Sequence, residues 1–150
     1  MRIAAFLYRL LTAGLFGAQL FFAAGAAQVV FSREVAALPH EDLRRVFAAD
    51  AIGGMLARLD AATILGCATA VLCAILLARS AGPAAQRAAL FPLLAGACAA
   101  ASAFLTTPAI HALRLANRTA DPVFGRLHAL SGLLLLLEML FLAIAVARAP

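Results

Sequence analysis

Long runs of apolar residues alternate with short polar stretches along this chain, giving four hydrophobic blocks: Leu10 to Phe31, Ala61 to Ala78, Ala88 to Leu105 and Ala129 to Ala147. Each has about the 20 residues that an α-helix needs to cross a roughly 30 Å hydrocarbon core. A polar first loop (Ser32 to Asp60), a tight turn containing Gly82 and Pro83 (Arg79 to Arg87) and a polar third loop (Thr106 to His128) separate the blocks. The pattern predicts an all-α integral membrane four-helix bundle, a single domain over residues 1–150 with both termini at one end.

Within the first loop the pattern changes period. Pro39 suits a first helical position, Glu41 and Asp42 favour the positive end of a helix, and Leu43, Val46, Phe47 and Gly54 recur on one face. This spacing predicts an amphipathic interfacial helix between the first and second spans. Asp50 falls in the middle of its apolar face, turned either back to a loop arginine or towards the mouth of the bundle. The first block carries a second signal, since Arg2, Arg9, an apolar core and the small-residue tail AAGAAQ (Ala23 to Gln28) resemble a cleavable leader. Apolar character continues through Val29, Val30 and Phe31, beyond the usual 7 to 15 residues of a leader core, which favours a retained span.

Composition narrows the class further. Of 150 residues, 65% are hydrophobic and 13% charged, and mean hydropathy is +1.01, whereas soluble domains carry about 45 to 50% apolar and about 25% charged residues. All 12 basic residues are arginines, scattered through every loop rather than gathered in a stripe. That distribution points to lipid headgroups and away from nucleic acid. Arg2, Arg9, Arg79, Arg87 and Arg148 lie at the end holding the termini, and the larger remainder at the other, so the positive-inside rule leans towards termini outside. Cys67, Cys73 and Cys98 all fall in apolar blocks without a CxxC pattern and are expected as small packing residues. Small residues also crowd the first block (Gly14, Gly17, Ala18, Gly25) and the third (Gly96 to Ala103), predicting close helix approach there.

Candidate chemistry concentrates at the fourth block. Asp121 and Pro122 make a helix start, as N-cap and first helical residue. A turn of about 100° per residue then puts Asp121, Phe124, His128, Ser131, Leu135, Glu138 and Leu142 on one seam, with Arg126 about 160° from His128 and free to reach headgroups. Glu138 sits at midspan, where a charge costs about 2.5 to 3.5 kcal/mol, so it is expected to be neutral or partnered. It stands as the one acid inside an apolar block, with no second carboxylate and no lysine near it. Gln19, Thr69 and Ser102 lie near the middle of the other spans, which predicts a polar layer linking all four helices, either a packing device or a proton or solute relay. In the third loop, Thr106, Thr107 and Pro108 end or kink the third helix. If it continues, Thr107, His111, Arg114 and Arg118 share a face that, with Asp50, Asp121 and His128, makes a polar vestibule.

His40, His111 and His128 show no HExxH or CxxCH spacing, and GxSxG, Walker and paired-acid patterns are missing, so neither an enzyme nor a cofactor is expected. A haem- or copper-binding redox protein using His111 and His128 remains the alternative, because two histidines from neighbouring helices suffice for such ligation. The leading expectation is a non-enzymatic protein of the cell membrane that handles a small solute or supports a membrane complex. Its expected partners are the lipid bilayer and a second copy or membrane protein, not nucleic acid.

Three stretches carry a family resemblance: FSREVAALPHEDLRRVF (Phe31 to Phe47), TTPAIHALR (Thr106 to Arg114) and FGRLHALS (Phe124 to Ser131). In these the chain resembles the transmembrane protein 205-like family, whose bacterial members are catalogued as a domain of unknown function. The last is the most specific, an aromatic and a basic residue followed by His128 and Ser131 three apart. The resemblance implies a four-helix module over nearly the whole chain, placed in the bacterial inner membrane, and no settled reaction. Relatives often have an asparagine one heptad after the histidine, where this chain has Leu135 and keeps its deep polar group at Glu138.

Overall fold

The computed structural model describes residues 2–26 and 41–149, with side chains throughout except at 41–49, 80, 81 and 83–85. The described residues form α1 (Arg2–Phe21), a π-helical turn (Phe22–Ala26), α2 (Glu41–Ala81), α3 (Pro83–Ala88), α4 (Leu90–Ala101), a second π-helical turn (Ser102–Thr106), α5 (Thr107–Leu115) and α6 (Pro122–Ala147), with no strand. Among the described residues, four stretches are long and apolar enough to cross a membrane: Arg2–Ala26, Asp50–Arg79, Gln86–Leu115 and Pro122–Ala147. The fold is the expected all-α four-helix bundle.

The boundaries differ in an informative way. Helix α2 runs unbroken for 41 residues, about 60 Å at 1.5 Å per residue. The amphipathic stretch from Glu41 is therefore the first part of the second spanning helix, not a separate interfacial element. No proline interrupts the helix between Asp50 and Ala61, and the apolar span found among the described residues, Asp50–Arg79, takes in Asp60. Pro39, His40 and the stretch from Ala27 lie outside the described residues. The third helix also extends further than its apolar block. Pro108 lacks an amide proton and its ring would meet the Phe104 carbonyl in a regular helix; the π turn immediately before it accommodates this, and the chain continues as α5.

Buried positions recur at alternating steps of three and four, the seam of packed helices. On α2 the seam runs through Asp60, Thr63, Cys67, Ala70, Ala74 and Leu77, with Cys73 buried beside it; along the third span it includes Ala88, Pro92, Ala95, Ala99, Ser102 and Thr106. Consecutive spans are neighbours and α1 closes the ring against α6, which leaves the first and third spans across the bundle from one another. The expected tight approach through the glycines of the first span is not found: a Cβ at Gly14 or Gly17 would meet nothing within 4 Å. Close approach occurs at α2 instead, where a Cβ on Gly66 would lie 2.8 Å from Leu15 Cδ1, and one on Gly96 would lie 3.1 Å from Cys67 Cβ. At one end, the Tyr8 hydroxyl donates to the Ala88 carbonyl at 2.8 Å, amid a cluster with Ala70, Cys73 and Ala74 on which Ala4 and Ala149 pack. Both termini and the Gly82 turn thus share that end, and Ile3, Phe6, Leu65, Phe104 and Leu136 project outward as an apolar surface.

Candidate functional site

At the opposite end the third loop is built by short local interactions. Asp121 caps α6, accepting from the Val123 amide at 2.9 Å and pairing with Arg118. The Val123 amide and then Arg118 hold its carboxyl below the usual carboxylate range. Asn117 adopts a left-handed backbone with φ 54°, a conformation asparagine tolerates, which turns the chain out of α5 and leaves Arg118 in the loop. One turn into α6, Phe124 stacks on His128 with centroids 6.1 Å apart, and the Arg114 guanidinium lies 5.8 Å from the Phe124 centroid. Arg126 is exposed on the far side of the helix, as its position on the wheel requires.

Asp50, His111, Arg114, His128, Thr107 and Ser131 meet around one cavity of about 700 Å³. Asp50 therefore faces the bundle's mouth. Gly53, Gly54 and Ala57 supply the α2 wall, their small side chains leaving the space open. His111 and His128 are exposed on this wall, Ser131 is buried at its inner limit, and a buried Thr107 Oγ1 has no hydrogen-bond partner. Among the described residues no group of three or more His, Cys, Asp or Glu side chains is placed to hold a metal ion.

Deeper in the bundle lies a second cluster. Gln19 from α1 is fully buried and its Nε2 donates to Glu138 Oε2 at 2.7 Å and to Thr63 Oγ1 at 3.2 Å. Three spans are joined through that one amide. Glu138 is 1% exposed and Asp60 0%, which makes Asp60 a second buried acid, one helical turn from the Thr63 hydroxyl that shares the Gln19 amide with Glu138. The reading of Glu138 as a lone acid is thereby corrected: the second spanning helix continues unbroken on the N-terminal side of Ala61, so Asp60 stands buried on the inward seam, one turn before Thr63. Ser102, delivered by the π turn of the third span, lies beside Asp60. Its hydroxyl does not complete a hydrogen bond, since both Asp60 carboxyl oxygens, Glu138 Oε1 and Gln19 Oε1 are buried without partners.

Thr69, expected in this layer, is exposed and its hydroxyl returns to the Leu65 carbonyl at 2.9 Å. It sits two residues beyond Cys67, about 200° round the helix, and Thr63 takes its place. The layer thus holds Gln19, Thr63, Asp60, Ser102 and Glu138, and contains more acceptors than donors. Buried polar groups in a membrane must find partners within the protein, and a surplus of carboxylate acceptors calls for something that brings hydrogen or positive charge.

The two clusters are connected by sequence geometry. Ala57 on the cavity wall precedes Asp60 by three residues, a rise of about 4.5 Å, and Ser131 precedes Glu138 by two turns, about 10 Å. Thr107 leads back to Ser102 through the π turn, where Thr106 donates to the Ser102 carbonyl at 3.1 Å. Small and hydroxyl-bearing residues line this approach on three spans. No protein-family model, curated protein or solved structure matches this chain.

Proposed function

We propose that this chain is a non-enzymatic multi-pass protein of the bacterial inner membrane that handles a small polar solute, admitted at the vestibule of Asp50, His111, Arg114, His128 and Ser131 and received by the polar layer beneath it. One observation carries the reading: an open cavity ends about one helical turn from Asp60 and two from Glu138, in a buried layer where four of the five carboxyl and amide oxygens of Asp60, Glu138 and Gln19 have no hydrogen-bond partner. Ionisable groups at membrane depth mark solute or ion pathways more often than packing devices. The transmembrane protein 205-like resemblance belongs to the same proposal, supported by the four-helix arrangement and by the start of α6 through Phe124, Arg126, His128 and Ser131. Its partners under this reading are lipid and, on the apolar flank, a second copy or another membrane protein.

Access is testable by thiol labelling in lipid. In a chain with Cys67, Cys73 and Cys98 replaced, Ser131→Cys is expected to react with a membrane-impermeant reagent from one side only, and Leu136→Cys to resist it. Failure of Ser131→Cys to react in folded protein would overturn the solute pathway.

A haem- or copper-binding redox function is the second reading, favoured by the meeting of His111 and His128 on one cavity wall. It predicts a Soret band or stoichiometric copper in purified protein, lost in His128→Ala. Protein that is colourless and copper-free after growth and reconstitution with either cofactor would end it.

A further inference from the structure

Resting on the pathway reading above, we propose that Asp60 and Glu138 form a proton-loading pair at the centre of the bundle, taking up one proton from the vestibule and releasing it there or beyond. The pair joins the second and fourth spans, and its geometry sets the chemistry. Four buried oxygens, two on Asp60 and one each on Glu138 and Gln19, accept no hydrogen bond from the protein. The single amide donor present, Gln19 Nε2, is already committed to Glu138 Oε2 and Thr63. A proton on either acid converts an acceptor into a donor and gives a neighbouring oxygen the partner it lacks. Two ionised carboxylates at this depth would instead repel one another and each would be stripped of water.

Among the described residues, the groups facing the pair from each packed element include no cation. Helix α1 presents the Gln19 amide, α2 the Thr63 hydroxyl with the Cys67 thiol one turn beyond it, and the third span the Cys98 thiol and the Ser102 hydroxyl. Uptake forms an O–H bond on one carboxylate oxygen with the proton supplied by vestibule water. Release breaks that bond, the electron pair staying on oxygen, so no oxidant or reductant is involved. Hydroxyls at Ser131, Thr107 and Ser102 lie between water and the acids, where they can pass a proton along bridging water.

Infrared difference spectroscopy of the full chain in lipid, between acidic and alkaline buffer and in potassium or sodium chloride, tests this. The expected result is one buried protonated-carboxyl band per chain that disappears on the alkaline side, shifts in heavy water, is equal in both salts, and is lost or displaced in Asp60→Asn and in Glu138→Gln. The exposed carboxyl at Asp50 and the half-buried one at Asp121 are untouched by these changes. Either variant suffices if the other does not fold. A band that neither variant alters, or that persists at every pH, would overturn the proposal, and suppression by sodium at fixed pH would reassign the site to a sodium ion. Labelling of Ser131→Cys without a titrating band would refute the proton pair and leave the pathway standing; absence of labelling refutes the pathway itself.

Discussion

Replacing Glu138 by glutamine or by leucine separates the hydrogen-bonding role of the residue from its charge. The carboxyl gives Gln19 an acceptor at 2.7 Å through Oε2, while Oε1 is buried without a partner. Glutamine keeps an acceptor for Gln19 and adds an amide donor beside the open oxygens of Asp60 and Gln19. Leucine removes the acceptor, leaves Gln19 Nε2 with Thr63 alone, and offers Asp60 nothing. Hydrogen bonds between membrane helices contribute about 0.6 kcal/mol on average and up to about 1.7. One bond kept and one gained places Glu138→Gln about 1 to 3 kcal/mol above Glu138→Leu. Glu138→Gln itself is expected to equal or exceed the native chain in stability, because it relieves a buried, incompletely partnered acid. Reversible unfolding in mixed micelles, or steric trapping in lipid, measures these differences. The gap should shrink in a Gln19→Leu background, where the shared bond is already absent. A leucine variant at least as stable as the glutamine variant would refute the hydrogen-bonded layer.

Further predictions follow from packing and capping. Gly96→Ala is expected to cost about 1 to 3 kcal/mol, because the new methyl group meets the Cβ of Cys67, which cannot move without its helix. Gly66→Ala should cost less, since Leu15 can swing its side-chain end aside, and Gly14→Ala should be neutral or stabilising by up to about 1 kcal/mol; the same unfolding assay ranks the three. At the cap of α6, the Asp121 carboxyl is depressed by the Val123 amide and Arg118. Its contribution is present above the ordinary carboxylate range and fades as pH falls through the lower folded-state value. The protection factor of the Val123 amide, its exchange rate divided into the intrinsic rate at the same pH, should therefore fall on acidification in the native chain and be low and independent of pH in Asp121→Ala.

Much of this architecture is legible in the sequence because hydrophobic length sets the number of spans, and helical periodicity sets which polar residues turn inward. Gln19, Ser102, Ser131 and Glu138 were all identifiable by depth and face alone, as were the Asp121 cap and the outward Arg126. Asp60 was obscured by hydropathy, since Arg58 and Asp60 lower the local average and the second span reads as starting at Ala61, and Thr63 was passed over for Thr69, which lies nearer the middle of that shortened block. A seam signal was nevertheless there. Stepping back from Leu77 by threes and fours passes Ala74, Ala70 and Cys67, then reaches Thr63 and Asp60. The same count excludes Thr69. Which helices would be neighbours was not legible, because small residues permit close approach without requiring it; Gly14 and Gly17 face open space while Gly66 and Gly96 hold the contacts.

Water contact at the two buried carboxyls is the most direct test of a vestibule that feeds an acid pair. In lipid-embedded protein carrying labelled aspartate and glutamate, water-edited solid-state magnetic resonance reports which carboxyl carbons receive magnetisation from nearby water. Transfer to Asp60 and Glu138 that is abolished by Ala57→Phe at the cavity wall, with the fold retained, is the predicted result. Carboxyls that receive none in the native chain, or that receive it equally with the cavity filled, would contradict the account.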